Sequence, residues 1–455
     1  MRYLSHTPDE LREMLEVVGV ESVEELFKSI PSGIRRDSEI AIEPRSDWCL
    51  SREFEEMAGA TSSIAGGPIA ATPVAFVGAG SYPHCIPAHV SYLASRSEFL
   101  TSYTPYQPEI SQGTLQAIFE FQTMTAGLLG MEIANASMYD GASSLAEAVL
   151  MAIRVKKKPK IAVSRLNHPH YLQVLRTYLR PTAFELVELG TLPDGKTDYA
   201  TMPDDASALV VQSPNFLGVI EDLKAAAEIA HSKGALLVAS FTEAMAWGLL
   251  KNPGNQGADI VSGEGKSFGI GHNFGGPGVG MLACKKDFVR TIPGRLVGET
   301  VDKNGQRSFV LTLAAREQHI RREKAVSNIC TNSGHNALIA AITMATAGKE
   351  GLREIAQLNH DKAVYLKNGL EKAGFKALFD APFFNEFAMI APAGFEKHHE
   401  ELLARGFFAG LKLGLFLEYN DPRYRDAYLF CATEAHTRDV LDEFFAFFAT
   451  LKEVA

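Results

Sequence analysis

Short apolar runs alternate with helical patterns between residues 111 and 285, and this alternation constrains the fold more than any other feature of the 455-residue sequence. The apolar runs are Lys160–Ser164, Ala208–Gln212, Ala235–Ala239, Asp259–Ser262 and Val279–Cys284. Helical patterns, such as the one from Asp222 to Lys233, lie between several of the runs. Short β-forming runs separated by helices predict a mostly parallel sheet with helices on both faces, which is the architecture of an α/β domain.

The first sixty residues predict a helical arm. Thr7-Pro8-Asp9-Glu10 is typical of a capping box with proline at the first helical position, and Gly19 is a stop signal. Ser22-Val23-Glu24-Glu25 repeats the start signal and predicts a second short helix before Pro31. Each helix has one apolar face, so we expect the arm to pack against something larger.

The last third of the chain predicts a further domain. Its pattern is mostly helical to Ala373, and Gly374 is a stop signal. Small strands and a last helix are expected at Phe379, Phe384, Phe387–Ala391 and Thr437–Leu451. We therefore expect three parts, namely an N-terminal helical arm at 1–60, a large α/β domain at 61–315 and a smaller α+β domain at 316–455.

Charge and cysteine content exclude several classes of function. The sequence has 44 Lys and Arg against 54 Asp and Glu, a net charge of −10 without a long basic run, so no nucleic-acid partner is expected. The five cysteines are scattered without a CxxC pair. This argues against a disulfide framework or a cysteine zinc site and is typical of a cytoplasmic protein.

One stretch, Met57–Ser95, contains no Asp, Glu, Lys or Arg. It also holds five glycines and four prolines, which a membrane-spanning helix disfavours, so we expect no membrane contact. We interpret the stretch as irregular backbone buried against protein. A loop buried within the chain and a contact with another subunit are both compatible with it.

Lys266 is a candidate catalytic group. It lies in a glycine-rich segment, GEGKSFGIGHNFGGPGVG, just past the strand that is predicted to end at Ser262. One large class of pyridoxal-phosphate enzymes holds the cofactor's aldehyde as a Schiff base on a lysine at this position of a parallel sheet. A solvated lysine in a loop is the alternative interpretation.

Ser143 and Ser144 are candidates for binding the phosphate of such a cofactor. They stand before the helical stretch Leu145–Val155, and the N–H groups of a helix N-terminus bind phosphate. A simple N-cap is the alternative. The position after the preceding strand, where this class usually carries an aspartate for the pyridine nitrogen, is Ser240, and the nearby carboxylate is Glu243.

Two histidine pairs, His168-Pro169-His170 and His398-His399, are candidate metal ligands. Neither has a carboxylate or cysteine at a zinc-like spacing. We therefore interpret them as ordinary surface or hydrogen-bonded histidines and expect no metal site.

Several segments resemble one family, the glycine cleavage system P protein, a pyridoxal-phosphate-dependent glycine decarboxylase. The most specific is Tyr103–Ala148, YTPYQPEISQGTLQAIFEFQTMTAGLLGMEIANASMYDGASSLAEA. Phe76–His89, FVGAGSYPHCIPAH, and the segment FGGPGVG from Phe274 also match. The resemblance extends essentially from end to end and implies a pyridoxal-phosphate-dependent transferase of fold type I, similar to aspartate aminotransferase.

Some members of this family are one long chain of two homologous halves, and others are split into two subunits. The present chain resembles the N-terminal half, subunit 1. The resemblance implies that the working cofactor lysine lies in subunit 2, in agreement with the missing aspartate at Ser240. Lys266 departs from the pattern usual for subunit 1.

The resemblance also implies the reaction and the partners. With subunit 2, the chain would decarboxylate glycine through pyridoxal phosphate and pass the aminomethyl group to the lipoyl arm of the H protein, in an assembly of two α and two β subunits. We expect Tyr103, Tyr106 and Glu109 to complete the partner's active site. Two alternatives stay open, namely a self-sufficient pyridoxal-phosphate enzyme that uses Lys266, and a purely structural or regulatory subunit.

Overall fold

The computed structural model describes residues 5–35, 42–62, 74–100, 103–416 and 422–454. These residues fall into two compact units, with the division between Ile64 and Ala65. The finer division that the sequence predicts at residue 316 stays a prediction. Within the described residues, no helix is long and apolar enough to cross a membrane.

The first unit begins with helix α1 (Pro8–Val18), and its start has the predicted capping box. The Thr7 hydroxyl accepts a hydrogen bond from the Glu10 N–H at 3.3 Å, and the Glu10 carboxylate accepts one from the Thr7 N–H at 2.6 Å. Gly19 follows the helix with a φ of +78°, which glycine adopts without strain.

The second short helix that the sequence predicts in this unit is present as a 3₁₀ helix, Val23–Phe27. The repeated capping signal is wrong, because Ser22 makes no capping hydrogen bond. The stretch before Pro31 leaves room for little more than a turn before proline would remove a helical hydrogen bond. Helix α2 (Asp47–Ser62) completes the described part of the unit.

The second unit contains the remaining helices and all strands of the described residues. The helices are α3 (Ala88–Ala94), α4 (Gln112–Leu129), α5 (Gly141–Lys156), α6 (Pro169–Leu179), α7 (Leu223–Ser232), α8 (Gln318–Arg321), α9 (Gly334–Lys372), α10 (His399–Ala404) and α11 (Arg438–Val454). The first eight strands are β1 (Val74–Ala75), β2 (Ile133–Ala134), β3 (Lys160–Ser164), β4 (Glu185–Leu189), β5 (Ala206–Gln212), β6 (Leu236–Phe241), β7 (Ile260–Glu264) and β8 (Gly280–Cys284). The others are β9 (Leu296–Val301), β10 (Arg307–Thr312), β11 (Lys376–Ala377), β12 (Glu386–Ile390), β13 (Phe407–Phe408), β14 (Leu411–Lys412) and β15 (Ala427–Cys431).

The central sheet has the strand order β2-β8-β7-β6-β5-β3-β4. The five strands from β7 to β4 are parallel to their neighbours, whereas β8 is antiparallel to both β7 and β2. The predicted mostly parallel sheet is therefore confirmed, with β8 as an antiparallel exception. Because no long helix lies between β7 and β8, the chain returns along the sheet without the crossover that a parallel strand requires.

Helices cover both faces of this sheet. On one face, α5 and α6 bury Leu145, Val149 and Leu172 in a cluster with apolar residues of the strands. On the other face, α4, α7 and α9 do the same, with Phe121 as one of the largest buried side chains. Each such side chain contributes about 1.5–3 kcal/mol through its burial. Helix α5 begins at the carboxyl edge of the sheet, since Gly141 lies beside Glu264 at the end of β7.

Beyond the central sheet, β11, β12, β15 and β14 form a small antiparallel sheet. Helices α9 and α11 pack on it around a phenylalanine-rich core, to which Phe76 also belongs. Helix α9 ends at Lys372 and Gly374 has a φ of +101°, as the predicted stop signal requires. The strands expected at Phe379 and Phe384 are wrong, because those residues lie in the connection between β11 and β12.

The charge-free stretch Met57–Ser95 is only partly irregular. Its first residues belong to α2, and its last to α3. Residues 63–73 lie outside the described residues. Between these parts, Phe76 and Tyr82 are buried within the second unit. Part of the described portion therefore packs against its own chain, whereas residues 85–89 are exposed, and the interpretation as a subunit contact stays a prediction.

Candidate functional site

A cavity of about 730 Å³ lies at the carboxyl end of β7. Its lining includes Asp140 and Tyr171 from the region of α5 and α6, and Glu264 and Lys266 from the end of β7. The glycine-rich segment 275–278 forms another wall. In a mostly parallel sheet, this edge is where ligand sites usually occur.

Lys266 lies where the sequence placed it, just after a strand and in the wall of this cavity. Its ammonium group donates a hydrogen bond to the Gly276 carbonyl at 3.1 Å. The backbone N–H of Lys266 donates to the Glu264 carboxylate at 3.0 Å. The side chain is therefore held against the glycine-rich wall.

Ser143 and Ser144 lie within the first turn of α5 and not before it, because the helix begins at Gly141. The N-cap is Asp140, whose carboxylate accepts from the Ser143 N–H at 2.7 Å. The Ser144 hydroxyl is buried and donates to the Met281 carbonyl of β8 at 2.8 Å. Both serines thus have hydrogen-bond partners within the chain, and their role in phosphate binding stays a prediction.

The N-terminus of α5 already has a carboxylate beside it, that of Glu264. One carboxylate oxygen accepts from the Gly141 N–H at 2.9 Å. The other accepts from the N–H groups of Lys266 and Val279 at 3.0 and 2.8 Å. Burial raises the pKa of Glu264, and the N–H groups of Val279 and Gly141 oppose this rise.

Ser240 lies within β6 and not after it, because the strand continues to Phe241. Its hydroxyl is buried and has no hydrogen-bond partner among the described residues, and the same holds for its neighbour across the strands, Ser262. Glu243 does not serve this cavity. Its carboxylate contacts the side chains of His84 and Asn385.

Tyr103, Tyr106 and Glu109 lie away from this cavity. Tyr103 lines a second cavity of about 460 Å³, whose walls are mostly apolar. Both tyrosines are well exposed, 85% for Tyr103 and 60% for Tyr106. The Tyr106 ring lies 5.6 Å from the guanidinium of Arg295, within the range of a cation–π contact. Glu109 is exposed in the short helix that follows.

A single segment separates the two cavities. Asn332 and Gly334 line the apolar cavity, whereas Ser333 lines the cavity that contains Lys266. The segment is fixed at Ser333, whose N–H donates to the Ser137 hydroxyl and whose hydroxyl donates to the Tyr139 carbonyl. The sequence-predicted site residues therefore form two groups on either side of the start of α9.

Of the two histidine pairs, the first is held by hydrogen bonds at the start of α6. His168 caps α6 by accepting from the His170 N–H at 3.1 Å, and its other ring nitrogen contacts the Ala79 carbonyl at 2.9 Å. No cluster of three or more potential metal ligands occurs within the part of the chain that the structure describes.

Sequence reasoning did not single out Glu264, Asp140 or Tyr171, although all three line the cavity. One signal was available for Glu264, because a charged residue between two glycines directly follows a buried strand pattern. Asp140 precedes GASS as a helix-capping residue would. Neither signal specifies that the two carboxylates meet at the same helix N-terminus.

Comparisons with known proteins agree over the whole chain. The model of the family described as "Glycine cleavage system P-protein" matches residues 1–448. Proteins of Desulfotalea psychrophila and Xanthobacter autotrophicus, both named "Probable glycine dehydrogenase (decarboxylating) subunit 1", are each 50% identical to this chain. The first alignment covers 97% of each chain and the second covers 100% of each chain.

Solved structures show the same likeness. The crystal structure of a glycine decarboxylase (P-protein) of the glycine cleavage system, in inhibitor-bound form, has a TM-score of 0.89 and 44% identity, and covers 98% of this chain and 99% of that one. A Lactobacillus brevis glutamate decarboxylase has a TM-score of 0.67 at 12% identity, over 92% of this chain and 96% of that one. At this identity the second likeness shows the fold alone, which is fold type I of the pyridoxal-phosphate-dependent enzymes.

Proposed function

Because the chain belongs to the glycine cleavage system P-protein family, we propose that it is subunit 1 of a two-subunit glycine decarboxylase. Together with subunit 2 it decarboxylates glycine, releases carbon dioxide and passes the aminomethyl group to the lipoyl arm of the H protein. Pyridoxal phosphate bound by subunit 2 supplies the electron sink. The observation that carries the proposal is the identity of 50%, over the full length, to a relative named as subunit 1.

The segment from Tyr103 to Glu109 is the proposed contribution of this chain to the partner's active site. Its two tyrosines are exposed, and Leu100 and Ile110 beside them are 58% and 80% exposed. A surface with this many exposed apolar side chains is typical of a protein interface. Tyrosine suits an active-site wall at such an interface because it offers a ring and a hydroxyl.

We propose an assembly of two copies of each subunit.

Reconstitution with subunit 2 and lipoylated H protein tests this role through glycine–carbon dioxide exchange. We expect Tyr103→Ala to lower the exchange rate by about tenfold. This factor corresponds to the loss of one interface contact that contributes about 1.4 kcal/mol. Tyr103→Phe separates the contribution of the hydroxyl from that of the ring. Leu415→Ala is the control, because Leu415 is also exposed (74%) but lies outside the charge-free stretch and lines neither cavity described above.

Two outcomes would reject the proposal at different levels. Full exchange by Tyr103→Ala and Tyr106→Ala complexes, with assembly intact, would remove these residues from the active site and leave a structural role. Exchange by subunit 2 alone, at the rate of the reconstituted complex, would show that this chain is not a necessary subunit.

The second candidate function is a self-sufficient pyridoxal-phosphate enzyme that uses Lys266. The observation in its favour is the position of Lys266 in a cavity of about 730 Å³ at the end of β7. Against it stands Ser240, whose hydroxyl cannot provide the fixed negative charge that a protonated pyridine nitrogen requires. Borohydride reduction of the chain with pyridoxal phosphate, followed by mass spectrometry of Lys266, tests this candidate directly.

A further inference from the structure

The cavity that contains Lys266 has one feature that a phosphate-bearing cofactor would have to overcome. Free N–H groups and the positive end of the helix dipole make a helix N-terminus a binding site for anions. At the N-terminus of α5, Glu264 is that anion, with three backbone N–H groups within 3.0 Å of its carboxylate oxygens. The donors come from α5, from the turn after β7 and from the start of β8, so the carboxylate is enclosed on three sides.

The space around Glu264 fits a carboxylate closely. A Cβ atom at Gly278 would lie 2.6 Å from both of its carboxylate oxygens. A Cβ atom at Gly141 would lie 2.8 Å from the Glu264 backbone nitrogen and 2.1 Å from the Tyr171 hydroxyl. The side chain is buried, with a residue exposure of 7%. A phosphate could bind these three N–H groups only if Glu264 moved away.

Charge opposes a phosphate at the same place. Asp140 adds a second carboxylate at the helix start, where it accepts from the Ser143 N–H. A phosphate that entered here would meet two carboxylates, and like charges at close range raise the free energy of the complex. The Ser144 hydroxyl, which could donate to a phosphate, donates to the Met281 carbonyl instead. The residues present therefore do not fit the phosphate of pyridoxal phosphate.

We infer that the Glu264 carboxylate is a built-in ligand that takes the place of a cofactor phosphate and keeps this cavity from binding pyridoxal phosphate, even though Lys266 is present. This deepens the proposed function and rests on it in one respect, namely that the working cofactor belongs to subunit 2. The inference itself concerns the cavity of this chain. It explains how a chain that retains a lysine at the Schiff-base position can still leave the cofactor to its partner.

Thermal unfolding of the full-length chain in phosphate, and in chloride of equal ionic strength, tests the inference. We expect Glu264→Ala to unfold at a lower temperature than wild type and to recover in phosphate, because the three N–H groups regain an anion. Wild type shows no phosphate-specific shift. Asp259→Ala is the matched control, since it removes another buried carboxylate, at the opposite end of β7, that accepts from the Leu237 N–H and the Lys285 ammonium. It loses stability without recovery in phosphate.

Borohydride labelling of Lys266 gives a second readout. With pyridoxal phosphate, Glu264→Ala is expected to be labelled about tenfold more than wild type, which corresponds to about 1.4 kcal/mol of lost repulsion. With pyridoxal, which has no phosphate, the two proteins are labelled equally. Equal labelling by pyridoxal phosphate, or a phosphate-specific stabilisation of wild type, would overturn the inference.

The wild-type chain decides the matter if Glu264→Ala does not fold. The ratio of labelling by pyridoxal phosphate to labelling by pyridoxal is compared between Lys266 and the exposed Lys224 of wild type, because pyridoxal closes into an internal hemiacetal and reacts less with every lysine. A higher ratio at Lys266 than at Lys224 would overturn the inference, and an equal or lower ratio would support it. The exchange assay with subunit 2 keeps the two proposals separate. If the inference about Glu264 is wrong, exchange can still require this chain. If exchange proceeds without this chain, Glu264 can still exclude phosphate from the cavity.

Discussion

At the scale of single residues, glycines determine how closely the elements around the Lys266 cavity approach one another. Gly141, the first residue of α5, contacts the end of β7 and the Tyr171 hydroxyl with no side chain between them. The contact is what brings the helix N-terminus to the Glu264 carboxylate. A side chain at this position would separate the helix from the strand.

Gly141→Ala is therefore expected to destabilise the protein by about 1–3 kcal/mol, the usual cost of an overpacked site. The added Cβ would lie 2.1 Å from the Tyr171 hydroxyl and 2.8 Å from a backbone nitrogen that cannot rotate away. Urea unfolding, followed by circular dichroism, measures the loss. Tyr171→Phe removes the closest atom and should restore part of it.

Gly113→Ala is the control for this prediction. Gly113 also lies in the first turn of a long helix, α4, but a Cβ there would have no neighbour within 4 Å. It should be neutral or stabilise by up to about 1 kcal/mol, since alanine favours a helix over glycine. Equal effects of the two substitutions would contradict the close approach at Gly141.

Sequence reasoning at this scale singled out Lys266, which lines the cavity, and the start of α5, but not Glu264. The lysine was a candidate because it follows a predicted strand in a glycine-rich segment. Glu264 was not, because the hydrogen bonds that define its role come from Gly141 and Val279, which are distant in the sequence. Contacts of this kind follow from the register of the sheet, and apolar periodicity does not determine that register.

At the scale of elements, the interruption of α9 at Gly348 is the clearest departure from regular geometry. Gly348 has a φ of 61° and a ψ of −175° inside a helical run, a conformation almost restricted to glycine. The part of α9 before it packs in the core of the central sheet, and the part after it contacts that core through Ala356 and the core of the small sheet through Ala363 and Leu366. The helix therefore contributes to two cores, and Gly348 provides the change of backbone direction between its two parts.

Gly348→Ala is expected to cost about 1–3 kcal/mol of stability through backbone strain alone, because a Cβ at this position would have no neighbour within 4 Å. Gly351→Ala in the same helix is the control. Its new Cβ would make an ordinary 3.5 Å contact with Ala347, so a gain of up to about 1 kcal/mol is expected. Chemical denaturation of both variants measures the difference. A stabilised Gly348→Ala protein would mean that α9 is continuous in solution.

The elements themselves were largely predictable from the sequence, because short buried strands and amphipathic helices have distinct periods. The five strand patterns between Lys160 and Cys284 all correspond to strands. The errors lie where local signals are insufficient. The direction of β8 depends on the loop before it. Strand β6 continues through the buried Ser240 to Phe241, and β7 continues past its last apolar residue to the buried Glu264.

At the scale of the whole second unit, a buried network of carboxylates joins the central sheet to the small sheet. His84 lies between Glu243, after β6, and Glu434, after β15, with 3.0 Å contacts on both ring nitrogens. Nearby, Glu386 of β12 accepts from the Tyr82 hydroxyl at 3.0 Å and from the Ala79 N–H. The loop that carries residues 79–84 therefore contacts both sheets through ionisable groups.

The pKa values of this network predict how stability depends on pH. Burial alone would lower the pKa of His84, but the attraction and hydrogen bonds of Glu243 and Glu434 raise it to about 10. Burial raises the pKa of Glu386 to about 8, against the opposing hydrogen bonds of Ala79 and Tyr82. For Glu434, burial is outweighed by the interactions with His84, which lower its pKa to about 2.

Each shift affects the free energy of unfolding in its own pH window. Between pH 4.5 and about 8, Glu386 is protonated in the folded chain but has lost its proton in the unfolded chain. Between pH 6.5 and about 10, the same is true of His84. Stability therefore falls as the pH rises through each window, by at most about 1.4 kcal/mol per pH unit and group. The lowered pKa of Glu434 acts oppositely, so stability falls as the pH drops from 4.5 towards 2.

The expected profile has its maximum near pH 4.5, declines above it through the Glu386 window and falls most steeply between 6.5 and 8, where the windows of Glu386 and His84 overlap. Urea unfolding across this range measures it. Glu386→Gln keeps an acceptor for Tyr82 but cannot ionise, so the fall between pH 6.5 and 8 should become shallower. Glu228→Gln, at an exposed carboxylate on α7, should leave the profile unchanged. If Glu386→Gln has the same profile as wild type, the buried carboxylate of β12 does not hold a proton at neutral pH.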